Sequence, residues 1–339
     1  MFATATLLLV FLIGAPQTLP ASVRRTVSVK RSIPRSKPVP SFDAAAVNDT
    51  QTQEAIGPSA AGSAVVRLQI RLDRAHFSPG EIDGHYGDNL RVALAGYQAA
   101  HQLQPTGIGD RDTWQSLNRD TAPALVQYTI APDDVAGPFE PVPADIMAQA
   151  KLKFLGYESP QEELGERFHI SPKLLAQLNP SSDLTRAGEQ ILVPNVQRQF
   201  IVPAARVVVS KINRTVSALA ADGTVLALYP ATMGSEHDPL PIGDWKITVV
   251  QQNPAFNYNP DLFWDAKPED AKARIKPGPN NPVGVVWIGL SKEHYGIHGT
   301  PEPGHIGHTE SHGCIRLTNW DAAELAKMVK PGVPAILQE

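Results

Sequence analysis

At 339 residues, 42% of them hydrophobic, the chain is long enough to pack two or three domains of ordinary size. Its formal net charge of −4 supplies no global basic field, which argues against a nucleic-acid partner. The single cysteine, Cys314, excludes an intramolecular disulfide and leaves one thiol, flanked by histidine and glycine, as a candidate nucleophile.

In chain order, Thr4 to Gly14 form an apolar run too short to span a bilayer but of signal-peptide length, although no Lys or Arg precedes it. Residues 1–21 are therefore expected to be a signal peptide. The mature protein is expected in the periplasm or cell wall, without a stable membrane span. Residues 22–62 mix Arg24, Arg25, Lys30, Arg31, Arg35 and Lys37 with proline, serine and alanine and show no periodicity, the composition of a disordered linker.

Val65, Leu68 and Leu72 recur at helical spacing; Leu90, Ala93, Leu94 and Tyr97 mark a second helix with Asp88 as its cap, and a third starts at Asp110. Between the first two lies a turn-rich loop, Ser78 to Gly87. The ordered set Ile82-Asp83-Gly84, Tyr86-Gly87, Ala93-Leu94, Tyr97-Gln98 and Thr113-Trp114 resembles the peptidoglycan-binding domain-1 family. That resemblance implies a three-helix wall-binding bundle over residues 63–120.

Over 125–195, Gln127 to Ile130 alternates as a strand. Leu164, Phe168, Ile170, Leu174, Leu175 and Leu178 mark two short helices, the second capped by Ser171 with Pro172 in its first turn, and Gly188 to Asn195 gives a closing strand. With Leu178-Asn179-Pro180 and Ile191 to Pro194, this βααβ order resembles a LysM glycan-binding module, interrupted by an insertion from Asp133 to Pro160.

Residues 200–339 read as a mostly-β domain. Short strands are expected at Val207 to Val209, Val216 to Leu219, Val225 to Leu228, Trp245 to Val249 and Val285 to Ile288, and a helix from Ala322 to Val329 opened by a Thr318–Asp321 capping box. If His312 to Leu317 enters a strand, His312, Cys314 and Arg316 share one face while Ile315 and Leu317 anchor the other. Acyl transfer by a thiol requires a base to draw off its proton and donors for the oxyanion. His298 and His312 are the imidazoles at close range. Gly313 lets a substrate carbonyl approach the main chain, and Arg316 is suited to a carboxylate. His294, His298, His305, His308, His312 and Cys314 also invite a zinc reading, but no zincin helix presents them, and neither metal nor cofactor is expected.

His298-Gly299-Thr300, ten residues, Ser311-His312-Gly313-Cys314 and then Arg316 resemble the YkuD-type L,D-transpeptidase family. Gly278 to Gly284, Gly289-Leu290 and Leu240 to Trp245 extend the likeness. The resemblance implies the following roles. Cys314 becomes a thioester, and His298 is the base, held by the Gly299 carbonyl. The His312, Gly313 and Cys314 amides form the oxyanion hole, Ser311 and Arg316 support the loop and hold substrate, and Tyr295 stands on the substrate side. It further implies peptidoglycan as partner: a stem tetrapeptide as donor and a neighbouring stem amine as acceptor, joined in a 3–3 cross-link. Hydrolysis of the thioester (L,D-carboxypeptidase), attachment of a protein lysine, or wall binding without catalysis are the alternatives.

Overall fold

The computed structural model describes residues 42–197 and 202–339; the expected signal peptide and residues 22–41 of the expected linker lie outside the described residues. From residue 42 the linker expectation fails, because the chain is ordered. Helix α1 (Ala44–Asn48) is capped by Asp43, whose carboxylate accepts from the Ala45 and Ala46 amides, and it buries Val47. Farther on, the Glu54 carbonyl accepts from Trp114 Nε1 at 2.8 Å and Ile56 pairs with Gly109. These partners lie far away in sequence, so local composition carries no trace of them.

Helices α2 (Ser63–Arg74), α3 (Asp88–Ala100) and α4 (Arg111–Leu117) follow. Asp88 is not the cap expected of it: Gly87 holds that position without a side-chain bond, and Asp88 is the first helical residue, where its charge still suits the helix N-terminus. Asp110 does cap α4, accepting from the Thr113 amide at 2.9 Å.

Helix α2 is buried on two faces. Val65, Leu68 and Leu72 pack with Leu90, Leu94 and Trp114, while Val66 and Ile70 pack with Ile130, Leu164, Leu174 and Ile191 of the following segment. That segment consists of β1 (Leu125–Thr129), α5 (Ile146–Gln149), α6 (Pro160–Arg167), α7 (Pro172–Leu178) and β2 (Gln190–Pro194), with β1 and β2 antiparallel. The two N-terminal segments therefore have a core each, and the two cores are joined through α2. Backbone bonds from the Ile82 amide to His169 and from Ser171 to Ile82 stitch them together.

The insertion between β1 and α6 braces the C-terminal domain. Leu155, fully buried, donates its amide to Pro277 and accepts from Asn280, both at 3.1 Å.

The C-terminal domain comprises β3 (Arg206–Ser210), β4 (Thr215–Leu219), β5 (Val225–Pro230), β6 (Thr232–Met233), β7 (Gly243–Gln252), β8 (Phe256–Tyr258), β9 (Ala273–Ile275), β10 (Val286–Leu290), β11 (Gly296–His298), β12 (Ile315–Arg316), α8 (Asn319–Met328) and β13 (Pro334–Gln338). Its main sheet runs β5-β4-β3-β13-β7-β10-β11-β12-β6, antiparallel except for the β3/β13 and β11/β12 pairs. The inward set Val207, Val209, Val216, Ile288, Ile297, Ile315 and Leu317 packs on Ala322 and Leu325 of α8. That helix starts at Asn319, earlier than expected, because Thr318 caps it through the Asp321 amide at 3.2 Å. The β8/β9 hairpin stands apart from this sheet and carries the loop over the Cys314 edge.

The helical N-terminal segment is bolted to the back of this domain. Ser78 donates its amide to Leu228 and its hydroxyl to Asp321 Oδ2, both at 2.8 Å, and the His169 ring stacks on Trp320 at 4.9 Å.

A candidate active site at Cys314

Strands β11 and β12 run parallel with Ile297 opposite Ile315 and His298 opposite Arg316. Ile297, Ile315 and Leu317 point into the core and are fully buried, so the alternate positions face the other way. His298 and Arg316 therefore share a face, and Cys314 immediately precedes β12. The strand begins only at Ile315. Residues 312–314 form a bend, which corrects the expectation that His312 alternates in register with Cys314.

His298 is buried and stacks on Trp287, its partner across the β10/β11 ladder, with centroids 5.6 Å apart. Its Nδ1 lies 2.7 Å from the Gly299 carbonyl. A carbonyl only accepts, so Nδ1 carries the proton and Nε2 keeps its lone pair. Burial, helped by the Arg316 charge, pushes this imidazole down to about 3, so it is neutral at physiological pH and able to take a proton.

Cys314 is half-buried and donates its thiol to the His294 carbonyl at 3.6 Å. Burial pushes the thiol up; the Gly296 amide and the Arg316 charge pull it back, and Asp238 adds to the rise. The resting pair is thus neutral thiol and neutral imidazole, not an ion pair.

The His312, Gly313 and Cys314 amides donate to no protein acceptor among the described residues, so three adjacent donors are available to an incoming oxyanion. Gly313 is fixed by two constraints. Its φ of +93° favours glycine, and a Cβ there would meet the Tyr295 ring at 2.7 Å. Tyr295 thus covers the bend that carries the thiol.

Ser311, expected to support the loop and to hold substrate, is buried and bonded within the loop. Its hydroxyl accepts from the Gly234 amide at 2.7 Å and donates to the Cys314 carbonyl at 2.6 Å. Arg316 makes no ion pair or hydrogen bond through its guanidinium among the described residues, which leaves it available to an anionic ligand.

His312 turns toward the loop between β8 and β9. Its Nε2 meets Asp265 Oδ1 at 2.9 Å, and Phe263 and Trp264 pack around its ring. Trp264, 60% exposed, also stacks on His237 at 4.5 Å. The other histidines of the zinc reading disperse: His294 pairs with Glu293 and His305 with Glu302.

Sequence reasoning missed Trp287, Asp238, Trp264, Asp265 and Asn319. Asn319 anchors the site from behind. Its Oδ1 accepts from Val285, its Nδ2 donates to Pro279 O and to Glu166, and a Cβ at Gly299 would strike it at 2.1 Å. An aromatic pair in the polar stretch between β8 and β9 was the one available hint of the loop's role.

A thiol at the entrance to β12, a neutral imidazole with an unprotonated Nε2 on the paired strand β11, and three unbonded amides are the parts of a cysteine acyltransferase. The family models and two named relatives agree. The family model described as L,D-transpeptidase catalytic domain, YkuD, matches residues 204–337, and one described as "Putative peptidoglycan binding domain" matches residues 61–117. "Putative L,D-transpeptidase YkuD" of Bacillus subtilis (strain 168) is 34% identical over 167 residues, 49% of this chain and 85% of that protein. "Probable L,D-transpeptidase ErfK/SrfK" of Escherichia coli (strain K12) is 27% identical over 182 residues, 51% of this chain and 57% of that protein. L,D-transpeptidase 3 from Mycobacterium tuberculosis aligns at 19% identity over 45% of this chain and 76% of that one, with a TM-score of 0.34. The chain belongs to the YkuD family of L,D-transpeptidases.

Proposed function

We propose that this enzyme cross-links peptidoglycan through a thioester on Cys314. His298 Nε2 takes the thiol proton, and the thiolate attacks the carbonyl of the third stem residue. The oxyanion rests on the His312, Gly313 and Cys314 amides. Collapse breaks the bond to the fourth residue, D-alanine, whose amine leaves with the proton from the imidazolium. An amine of a second stem then attacks the thioester, gives its proton to His298, and releases the thiol with a 3–3 cross-link formed. Arg316 holds a substrate carboxylate, and Tyr295 borders the substrate.

The observation that carries this reading is the fixed tautomer of His298 on the strand paired with the one that Cys314 enters, within a domain of this family. The helical segment over 61–117 is read as a three-helix wall-binding bundle and the β1–β2 unit as a LysM-like module. An exported, wall-associated location follows from that substrate, with a signal peptide at residues 1–21. The test is intact-mass analysis after incubation with a stem tetrapeptide. The expected result is an acyl adduct with loss of D-alanine, absent in Cys314→Ala, and stem dimers when an acceptor is supplied. Trimmed tripeptide alone would make water the acceptor, protein-linked fragments a lysine, and no adduct would leave a wall-binding protein.

A further inference from the structure

We propose that Trp287 is the positioning residue of the general base: its indole, laid down on the face of the sheet away from the core, holds the His298 ring in one plane and shuts water away from it. This rests on the acyl-transfer reading above and goes beyond it, since Trp287 neither gives nor takes a proton in that reaction.

The register of the sheet builds the arrangement. Trp287 on β10 stands opposite His298 on β11, which stands opposite Arg316 on β12, so the three form a row with the base in the middle. The next pair on the same face is Gly289 opposite Gly296. Two facing glycines leave a bare strip of backbone, and the indole fills it. A Cβ at Gly296 would meet Cζ2 of the Trp287 ring at 2.6 Å, and one at Gly289 would meet Trp287 Nε1 at 3.1 Å. The indole therefore lies over the Gly296 backbone, whose amide reaches the Cys314 sulfur. Trp287 is half-buried while His298 is 3% exposed, so on the β10 side the indole stands between the base and solvent.

Two restraints on the imidazole complement each other. The bond from Nδ1 to the Gly299 carbonyl fixes one ring atom and the tautomer, but leaves the ring free to swing about that atom. The indole, its plane 21° from that of the imidazole and its centroid 5.6 Å away, blocks the swing toward β10, and Arg316 bounds the ring on the β12 side.

The same cover keeps the base uncharged. Burial first, and the Arg316 charge second, push the imidazole down to about 3. Around the ring, β12 and the bend before it bring Arg316, Cys314 and His312, β10 brings no titratable side chain, and Tyr295 directly precedes β11. Helix α8, with Asp321, Glu324 and Lys327, packs on the core side of the sheet with Ile297. Of these groups only Arg316 acts on the His298 ring, and it opposes protonation. Removing the indole hydrates the ring and lets it climb back toward the ordinary value of 6.5.

The full-length protein, Trp287→Ala and Trp287→Phe are each acylated by a stem tetrapeptide in single turnover. Intact mass follows the reaction at several peptide concentrations from about pH 5.5 to about pH 7.5, the range in which an ordinary histidine titrates. Wild type should keep its maximal acylation rate within about twofold across that range, because its base is neutral throughout. Trp287→Ala should lose about tenfold in maximal rate at the upper end, with the half-saturating concentration within about twofold, the pattern of a misplaced base rather than of lost binding. It should lose about fivefold more at the lower end, where the hydrated ring takes up a proton. Trp287→Phe keeps a flat ring against the imidazole and should recover the level profile and most of the rate. A pH profile in Trp287→Ala that matches wild type overturns the proposal, whether or not the rate falls. A raised half-saturating concentration with the maximal rate untouched also overturns it, since that makes Trp287 a substrate contact. Melting temperatures are recorded for each variant. If Trp287→Ala fails to fold, Trp287→Leu, which keeps apolar bulk without a flat ring, takes its place beside Trp287→Phe. A profile that falls toward acid in the leucine variant alone supports the proposal, and the same profile in both overturns it. Failure of the wild type to acylate at all overturns the acyl-transfer reading instead.

Discussion

The floor and the rim of the Cys314 site are built on different terms. On the floor, His298, Ile297, Ile315 and Leu317 are buried on paired strands, the imidazole is stacked on Trp287, and its Nδ1 is tied to a backbone carbonyl. On the rim, Trp264 and Leu262 are exposed, His312 meets Asp265, and His237 stacks on Trp264, all through side chains projecting from loops. Backbone ladders fix positions to fractions of an ångström, whereas exposed side-chain pairs hold theirs weakly. The difference teaches that the base sits on the rigid half, the thiol on the bend that enters it, and the groups meeting the substrate's variable parts on the adjustable one.

The sharpest test of that division is on the floor. Cys314→Ala should leave no acyl adduct, and His298→Ala should slow acylation by about 10³-fold, as loss of a general base does, with melting temperatures recorded to show that both fold. Residual acylation in His298→Ala within tenfold of wild type would move the base elsewhere.

Where floor passes into rim stands Gly313. Substituting alanine forces a Cβ into the Tyr295 ring at a φ of +93° and tilts the three amides that face the oxyanion. Acylation should fall by about 10²-fold, the usual cost of spoiling oxyanion donors. Gly313→Ala combined with Tyr295→Ala removes the clash and should recover only part of the rate, because the backbone preference remains.

A third prediction concerns what stands behind the floor. Glu166 of α6 accepts from Asn319 Nδ2 at 3.0 Å, and burial, with Glu162 and Glu81 nearby, pushes its carboxyl up to about 8. Folded protein therefore keeps this proton where the unfolded chain has lost it, and stability drains away as pH rises from about 4.5 toward 8. Glu166→Gln preserves an acceptor for Asn319 and removes the titration. Denaturant unfolding should find the variant more stable than wild type at pH 8, by on the order of 1–3 kcal/mol, with the gain vanishing near pH 4.5. An equal gain at both pH values would detach Glu166 from the effect.

How far the sequence reveals this arrangement follows the same line. His298, Gly299, Gly313 and Cys314 stand out in the sequence because a specific spacing is a local, one-dimensional signal. The short strands and the helices at Ser63, Arg111 and Pro172 were legible for the same reason. Asn319 and Trp287 were not, since their importance lies in contacts across the sheet and from a separate helix. The ordered stretch from residue 42 and the bracing role of Leu155 were hidden likewise, because an irregular segment shows no period and its partners are far away in the chain. Ser311 is legible only as a pair of alternatives: a serine beside a nucleophile looks equally suited to substrate or to backbone, and its burial and bonds within the loop are what the sequence does not carry.

The smallest effects belong to the rim. Trp264→Ala strips the stack on His237 and the cover over His312 while leaving the strands untouched. Its expected signature is a KM for the stem raised about five-fold with kcat within twofold, the pattern of lost uniform binding. Asp265→Asn keeps the shape but removes the charge facing His312 Nε2, and an exposed pair of this kind is worth so little that kcat/KM should change by no more than about threefold. The amide can still accept from His312, so the bend at 312–314 keeps its anchor in geometry if not in charge. Steady-state kinetics with one stem peptide measures both. If either substitution cut kcat as deeply as Gly313→Ala, the loop between β8 and β9 would have to be counted with the oxyanion bend, because only a displacement of the His312 amide could transmit so large a loss.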